Sequence, residues 1–102
     1  MDVIGKVDGR EVTEHVLDSG DAQISVMSYG AAIRDWRIAG VERAMVLGFP
    51  TLEDHLANYR AHGTIAGRVA NRTGYGRFTL DGVEHQLAMK TPPHHLHGGP
   101  EG

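Results

Sequence analysis

The stretch GRVANRTGYGRFTLDGVEHQLAMKTPPHHLHGGPEG, residues 67–102, carries the strongest indication of fold in this chain. At its centre, Asp81-Gly82 separates two segments, 77–80 and 83–87, in which apolar and polar residues mix as they do in strands. An Asp-Gly pair suits the positive φ angles of the type I′ turn that joins two antiparallel strands. The stretch therefore predicts a β-hairpin.

The period-two pattern of β-strands is also present nearer the N-terminus. Residues 22–26 alternate apolar and polar side chains, and residues 33–38 form a similar stretch that a bulge or twist interrupts. Residues 39–40 predict a turn, and residues 44–47 predict a short strand that pairs back onto 33–38 as a hairpin. These segments indicate an all-β fold of antiparallel strands and hairpins.

One short helix is expected among the strands. Thr51 is suited to the N-cap position, and Glu53 and Asp54 place negative charge in the first turn, where the helix dipole favours it. Residues 52–57 are therefore predicted to form a short helix or 3₁₀ turn.

The sequence predicts whether four large side chains are buried or exposed. Trp36 and Phe78 are assigned to the core, because aromatic residues at strand spacing are more often buried than exposed. His62 and His85 have no partner in the sequence and are expected to face solvent.

Length and composition limit the classes of protein to consider. The chain has 102 residues, 40% of them hydrophobic, and a formal net charge of −3, so it makes one small domain at most and offers no nucleic-acid surface. It has no cysteine, its first residues lack the continuous apolar run of a secretory signal, and no later segment of this sequence reaches membrane-spanning length. We expect a cytoplasmic protein with neither disulfides nor thiolate metal ligands.

Two polar motifs lie on either side of the predicted hairpin. Gly-X-X-Ala-Asn-Arg ends at Arg72, and Leu-His-Gly-Gly-Pro places His97 twenty-five positions later. Together they resemble the N-terminal part of the galactose mutarotase (aldose 1-epimerase) family. Residues 29–31 and 46–49 resemble the same family in the same order, so the likeness covers nearly the whole chain.

The resemblance implies a fold and a domain. It implies the N-terminal portion of a galactose mutarotase-like β-supersandwich, whose complete form is about three times this length and exceeds the usual size of a single domain. Because the sequence stops at Gly102, inside a glycine-rich loop, we expect residues 1–102 to be the N-terminal fragment of a single mutarotase-like β-sandwich domain.

The resemblance also implies an activity, the interconversion of the α and β anomers of free aldohexoses such as glucose or galactose. Ring opening needs a base for the C1 hydroxyl proton and an acid for the ring oxygen, and both must act near neutral pH. By resemblance, Asn71 and Arg72 bind sugar hydroxyls and His97 is a catalytic residue near the ring oxygen. The family's second catalytic histidine and its glutamate base would lie downstream, so the isolated chain is expected to be inactive. No cofactor is implied, and the expected partner is a small sugar.

The chain departs from the family's pattern at two positions. His94 stands where Asn is usual, two residues before Leu96, and this puts the local hydrogen bonding of the loop in doubt. Thr73 stands where a branched apolar residue usually follows the Asn-Arg pair, and this affects packing beside Arg72.

Two other functions remain open. A relative acting on hexose 6-phosphates would need further basic residues around the far end of the sugar. A non-catalytic sugar-binding or metal-binding β-module is the other alternative, because His94, His95 and His97 lie close together in sequence. A functional metal site usually adds a ligand from a separate element, and no such spacing is present, so no metal is predicted.

Overall fold

The structure, a computed structural model, describes residues 1–58, 61–90 and 92–102. The chain divides into two compact units, Met1–Ile65 and Ala66–Gly102. The regular secondary structure is mostly antiparallel β-strand with almost no helix, which confirms the all-β prediction.

The first unit is built on a four-stranded antiparallel sheet in the order β1-β2-β3-β4. Its strands are β1 (Asp2–Val7), β2 (Arg10–Asp18), β3 (Ala22–Met27) and β4 (Ile33–Ile38). Asp8 and Gly9 join β1 to β2 with φ angles of 49° and 76°, which is the backbone expected of an Asp-Gly hairpin turn. The predicted irregularity in β4 is confirmed, since Ser25 pairs with Asp35 but Val26 pairs with Ile33, leaving Arg34 as a bulge.

The helix α1 (Leu52–Ala57) begins and ends where the sequence predicts. The Thr51 hydroxyl accepts a hydrogen bond from the backbone N–H of Asp54 at 3.1 Å, which satisfies one of the free donors of the first turn. Leu52 of this helix is 2% exposed. Gly5 of β1 allows the close approach, because a Cβ there would overlap the Leu52 side chain.

The core of the first unit is small. Its buried apolar members are Val12, Met27, Ala32 and Leu52. Full burial of side chains such as Met27 and Leu52 stabilises the fold by about 1.5–3 kcal/mol each. These core residues therefore join β2, β3 and the residue before β4 to α1.

The inner face of β3 differs from the simple alternation that its sequence suggests. Ser25 and Met27 are its buried residues, whereas Ile24 and Val26 are half-buried. Ser25 tolerates burial because its hydroxyl donates to Glu14 Oε1, and the same oxygen lies 3.3 Å from Arg34 Nε. A partly buried ion pair thus satisfies the polar group at the edge of the core.

Residues 44–47 do not form the predicted strand. Only the backbone N–H of Met45 reaches β4, donating to the Trp36 carbonyl at 2.8 Å, and this segment otherwise bends. The predicted turn before it is present at 39–40. A single hydrogen bond does not make a ladder, so the hairpin prediction was wrong here.

The second unit contains the predicted hairpin, β5 (Arg77–Leu80) and β6 (Val83–Gln86), preceded by a 3₁₀ turn at Gly74–Gly76. Asp81 and Gly82 have φ angles of 49° and 76°, which confirms the predicted Asp-Gly turn. All residues of both strands are exposed.

Three of the predicted side-chain environments need correction. Phe78 is 40% exposed and stacks on His85, with ring centroids 4.9 Å apart. Trp36 is half-buried rather than part of the core cluster. His62 is half-buried against Phe49, with ring centroids 5.9 Å apart. His85 is exposed, as expected.

Candidate functional site

Asn71 and Arg72 lie on an irregular segment of the second unit, outside any strand, and both are exposed. The Asn71 Oδ1 accepts a hydrogen bond from the backbone N–H of Arg72 at 2.8 Å. This local bond fixes the segment in a bent form, so the alternation of a strand does not force the two side chains to opposite faces. The exposed guanidinium presents a planar array of donors to a ligand.

An isolated antiparallel bridge joins this segment to the histidine-containing loop. The backbone N–H of Thr73 donates to the His95 carbonyl at 2.9 Å, and the His95 N–H donates to the Thr73 carbonyl at 3.1 Å. Asn71 and His97 are each two residues from this bridge. The bridge therefore brings two predicted site segments together despite their separation in sequence.

A second close approach joins the same two segments. Gly98 packs against the backbone of Gly67 so closely that a Cβ on Gly98 would overlap the Gly67 carbonyl oxygen. His97, Gly98 and Gly99 all have left-handed φ angles, of 52°, 88° and 84°. The turn is closed by the backbone N–H of Gly99, which donates to the Leu96 carbonyl at 3.0 Å. His97 is half-buried within it.

The two departures from the family pattern have clear local roles. His94 Nδ1 accepts a hydrogen bond from the backbone N–H of Tyr75 at 3.0 Å, and the two rings meet at a centroid distance of 5.2 Å. The imidazole therefore supplies a hydrogen bond within the loop. Thr73 contributes its backbone to the bridge, and its side chain is half-buried.

His95 is a structural residue of this region that sequence reasoning missed. It is 4% exposed, and its Nδ1 lies 2.5 Å from the carbonyl oxygen of Ala88. Nothing in the sequence distinguishes it from His94 or His97, because its partner lies seven positions away on another segment.

The histidine cluster does not form a recognisable metal centre. No group of three or more side chains able to hold a metal ion occurs within residues 1–58, 61–90 and 92–102. His94 and His95 each use Nδ1 in a hydrogen bond to their own chain. Both side chains thus have a role in loop structure.

A depression in the second unit lies apart from the predicted donors. It has a volume of about 610 Å³. Its walls include Tyr75, Leu87, Met89, Pro92 and Pro93. Because neither Asn71, Arg72 nor His97 lines it, we assign the candidate site by the chemistry of the side chains and not by this cavity.

No helix in the part of the chain that the structure describes is long and apolar enough to cross a membrane.

Comparison with known proteins gives consistent matches. The family model described as aldose 1-epimerase matches residues 14–102. A galactose mutarotase from Sus scrofa is 37% identical over 94 residues, which are 89% of this chain and 28% of that protein. An aldose 1-epimerase from Streptococcus thermophilus is 31% identical over 105 aligned residues, covering 99% of this chain and 30% of that protein. The chain thus spans less than a third of the length of these relatives.

Solved structures agree with the fold. A GalM/aldose epimerase homologue from C. elegans superposes with a TM-score of 0.72 at 26% identity, covering 86% of this chain and 29% of that one. A galactose 1-epimerase from Lactobacillus acidophilus superposes with a TM-score of 0.77 at 24% identity, over 95% of this chain and 29% of that one. Because the family model covers most of the sequence and the fold agrees, this chain belongs to the aldose 1-epimerase family.

Proposed function

We propose that this chain supplies the N-terminal part of the sugar site of an aldose 1-epimerase that interconverts the α and β anomers of free aldohexoses such as glucose or galactose. The observation that carries the proposal is the joining of the Asn71-Arg72 segment to the His97 turn, through the Thr73–His95 bridge, in a chain of this family. Residues 1–102 would then be the N-terminal portion of a single mutarotase-like β-sandwich domain.

The proposed roles follow from the chemistry of each side chain. Arg72 holds sugar hydroxyls through charge-assisted hydrogen bonds, since its guanidinium is exposed and offers several donors in one plane. Asn71 already accepts the Arg72 N–H, which leaves its amide N–H₂ group to donate to the sugar. His97 acts near the ring oxygen, where an imidazole can exchange a proton near neutral pH.

Catalysis requires groups beyond these three. We assign the base that takes the C1 hydroxyl proton, and the principal acid, to a glutamate and a second histidine downstream in the complete protein. Proton transfer suffices for the reaction, so the proposal invokes no cofactor, and it places the enzyme in the cytoplasm.

Polarimetry tests the proposal directly. The complete protein should accelerate the mutarotation of freshly dissolved α-D-glucose or α-D-galactose, whereas the 102-residue chain should leave the rate at that of buffer because it lacks the base. Failure of the complete protein to accelerate either sugar would contradict the assigned activity. Acceleration by the 102-residue chain that disappears in a His97→Ala variant would contradict the division of roles.

A further inference from the structure

The side chain of His95 is buried, whereas His94 and His97 are half-buried. We propose that His95 is a positioning residue, which holds the His97 turn in register with the Asn71-Arg72 segment. The proposal rests on the proposed function, because it assigns His95 its effect through His97.

Three contacts tie His95 to three different parts of the second unit. Its backbone pairs in both directions with Thr73, at 2.9 and 3.1 Å. Its ring reaches the segment after β6, where Nδ1 lies 2.5 Å from the Ala88 carbonyl oxygen. The ring also lies beneath the turn, because a Cβ on Gly99 would be 3.1 Å from Cε1 of His95.

The hydrogen bond to Ala88 fixes the tautomer of the ring. A carbonyl oxygen only accepts, so Nδ1 of His95 must carry the proton. Nε2 is buried and has no hydrogen-bond partner in the described part of the chain. The ring is therefore oriented from its Nδ1 side, by the one bond to Ala88.

The conformation of the turn explains why such an anchor is needed. His97 has a φ of 52°, a region that residues other than glycine seldom occupy and that persists where the surroundings impose it. His97 follows His95 by two positions and precedes the two glycines that pack on Gly67 and on the His95 ring. Without the anchor under Gly99, the turn is free to relax and to move the His97 imidazole away from the sugar.

Two substitutions that introduce side chains of the same shape separate the effect of the hydrogen bond to Ala88 from the effect of packing. In His95→Asn, the amide nitrogen is attached to Cγ, as Nδ1 is in histidine, so it can still donate to Ala88. His95→Leu has the same branched shape without the donor. His85→Leu is the matched control, because His85 is an exposed histidine on β6, outside the site.

The kinetic expectation for the complete protein is a selective loss. A displaced catalytic group can cost up to about a hundredfold in rate, so His95→Leu should lower kcat for mutarotation by at least about tenfold. KM should change much less, since Arg72 still binds the sugar. His95→Asn should recover most of kcat, and His85→Leu should match the wild type. Equal kcat in folded His95→Leu and wild-type protein would overturn the proposal.

Two readouts do not depend on activity. The ¹⁵N shifts of histidine-labelled complete protein should show His95 with its proton on Nδ1. Deuterium exchange in peptides covering residues 94–102 should be faster in His95→Leu than in His95→Asn or His85→Leu. If the wild-type protein has no mutarotase activity, the proposed function fails, while these measurements still decide the anchor. An Nε2–H tautomer, or equal exchange in the Leu and Asn variants, overturns it.

Discussion

Arg72 is the residue on which the assignment of the sugar site depends most. Hydrogen bonds to a charged group contribute about 1.5–3 kcal/mol, so Arg72→Ala in the complete protein should lower kcat/KM by roughly tenfold to more than a hundredfold. Arg72→Lys should recover little, because an ammonium cannot reproduce a planar array of donors. Steady-state kinetics would measure both.

Arg77→Ala provides the control for Arg72, because Arg77 is an exposed arginine of the same unit. Its Nε donates a hydrogen bond to Gln86 Oε1 at 3.0 Å. Arg77→Ala should leave kcat/KM near the wild-type value. If Arg72→Ala does the same in folded protein, Arg72 is an ordinary surface residue and the site is wrong at its most specific point.

His97 tests a different part of the proposed chemistry. Asparagine tolerates the left-handed backbone better than most residues, so His97→Asn should keep the turn, in which residue 97 has a φ of 52°. A histidine near the ring oxygen matters most as charge shifts there in the transition state, so kcat should fall more than KM rises. A variant that changes KM alone would show that His97 only binds the sugar.

At the scale of single residues, the sequence predicts a side chain's role when that role depends on nearby residues, and does not when it depends on a contact that only folding makes. Asn71, Arg72 and His97 are expected from motifs, and the Thr73–His95 bridge brings their segments together. The role of His95 could not be predicted, because it depends on a carbonyl oxygen that only the folded chain brings to its ring. The prediction that Phe78 is buried was wrong for a related reason, since the burial of a strand residue depends on what covers that face of the strand.

At the scale of elements, the Asp81-Gly82 hairpin and the helix were predictable, and the pairing of residues 44–47 was not. The Asp81-Gly82 hairpin and the Thr51 cap are local signals, and the structure confirms both. The same signal at Asp8-Gly9 joins β1 to β2, and that hairpin was missed although its turn has the same φ angles. The strand predicted at 44–47 does not form, because a strand needs a ladder of hydrogen bonds to a neighbour, which a local pattern cannot guarantee.

His55 of α1 should make the free energy of unfolding depend on pH. Burial lowers the pKa of His55 below its ordinary value of 6.5, and the charges of His62 and Arg34 lower it further. The unfolded chain then binds the proton more readily than the folded chain. Stability that is fully present above pH 6.5 should therefore be lost as the pH falls through 6.5 toward the lower pKa of the folded state.

Thermal unfolding of the complete protein between pH 8 and pH 5 would measure this, at about one-unit steps. His55→Gln, which cannot titrate, should flatten the profile below pH 6.5, and His85→Gln at an exposed site should not. The same fall in Tm for His55→Gln and wild-type protein would show that other groups cause the dependence.

At the scale of the whole molecule, the balance of buried and exposed apolar surface is unusual for an isolated domain. Within residues 1–58, 61–90 and 92–102, the buried apolar core has four members, all in the first unit. On the hairpin of the second unit, one face carries Phe78, Leu80 and Val83, which are 40%, 58% and 58% exposed. Alternation and register put these three on the same side, because Leu80 pairs with Val83. Contiguous apolar surface of this kind promotes association.

The 102-residue chain alone should therefore self-associate or be partly unfolded. Sedimentation velocity and thermal unfolding would show a distribution above the monomer mass or a broad transition. Leu80→Lys should shift the distribution toward monomer, because it places a charge on the apolar face, whereas Thr79→Lys on the opposite face of β5 should not. A monomeric wild-type chain with a single cooperative transition would mean that these few buried residues suffice, and that the exposed hairpin face needs no covering partner.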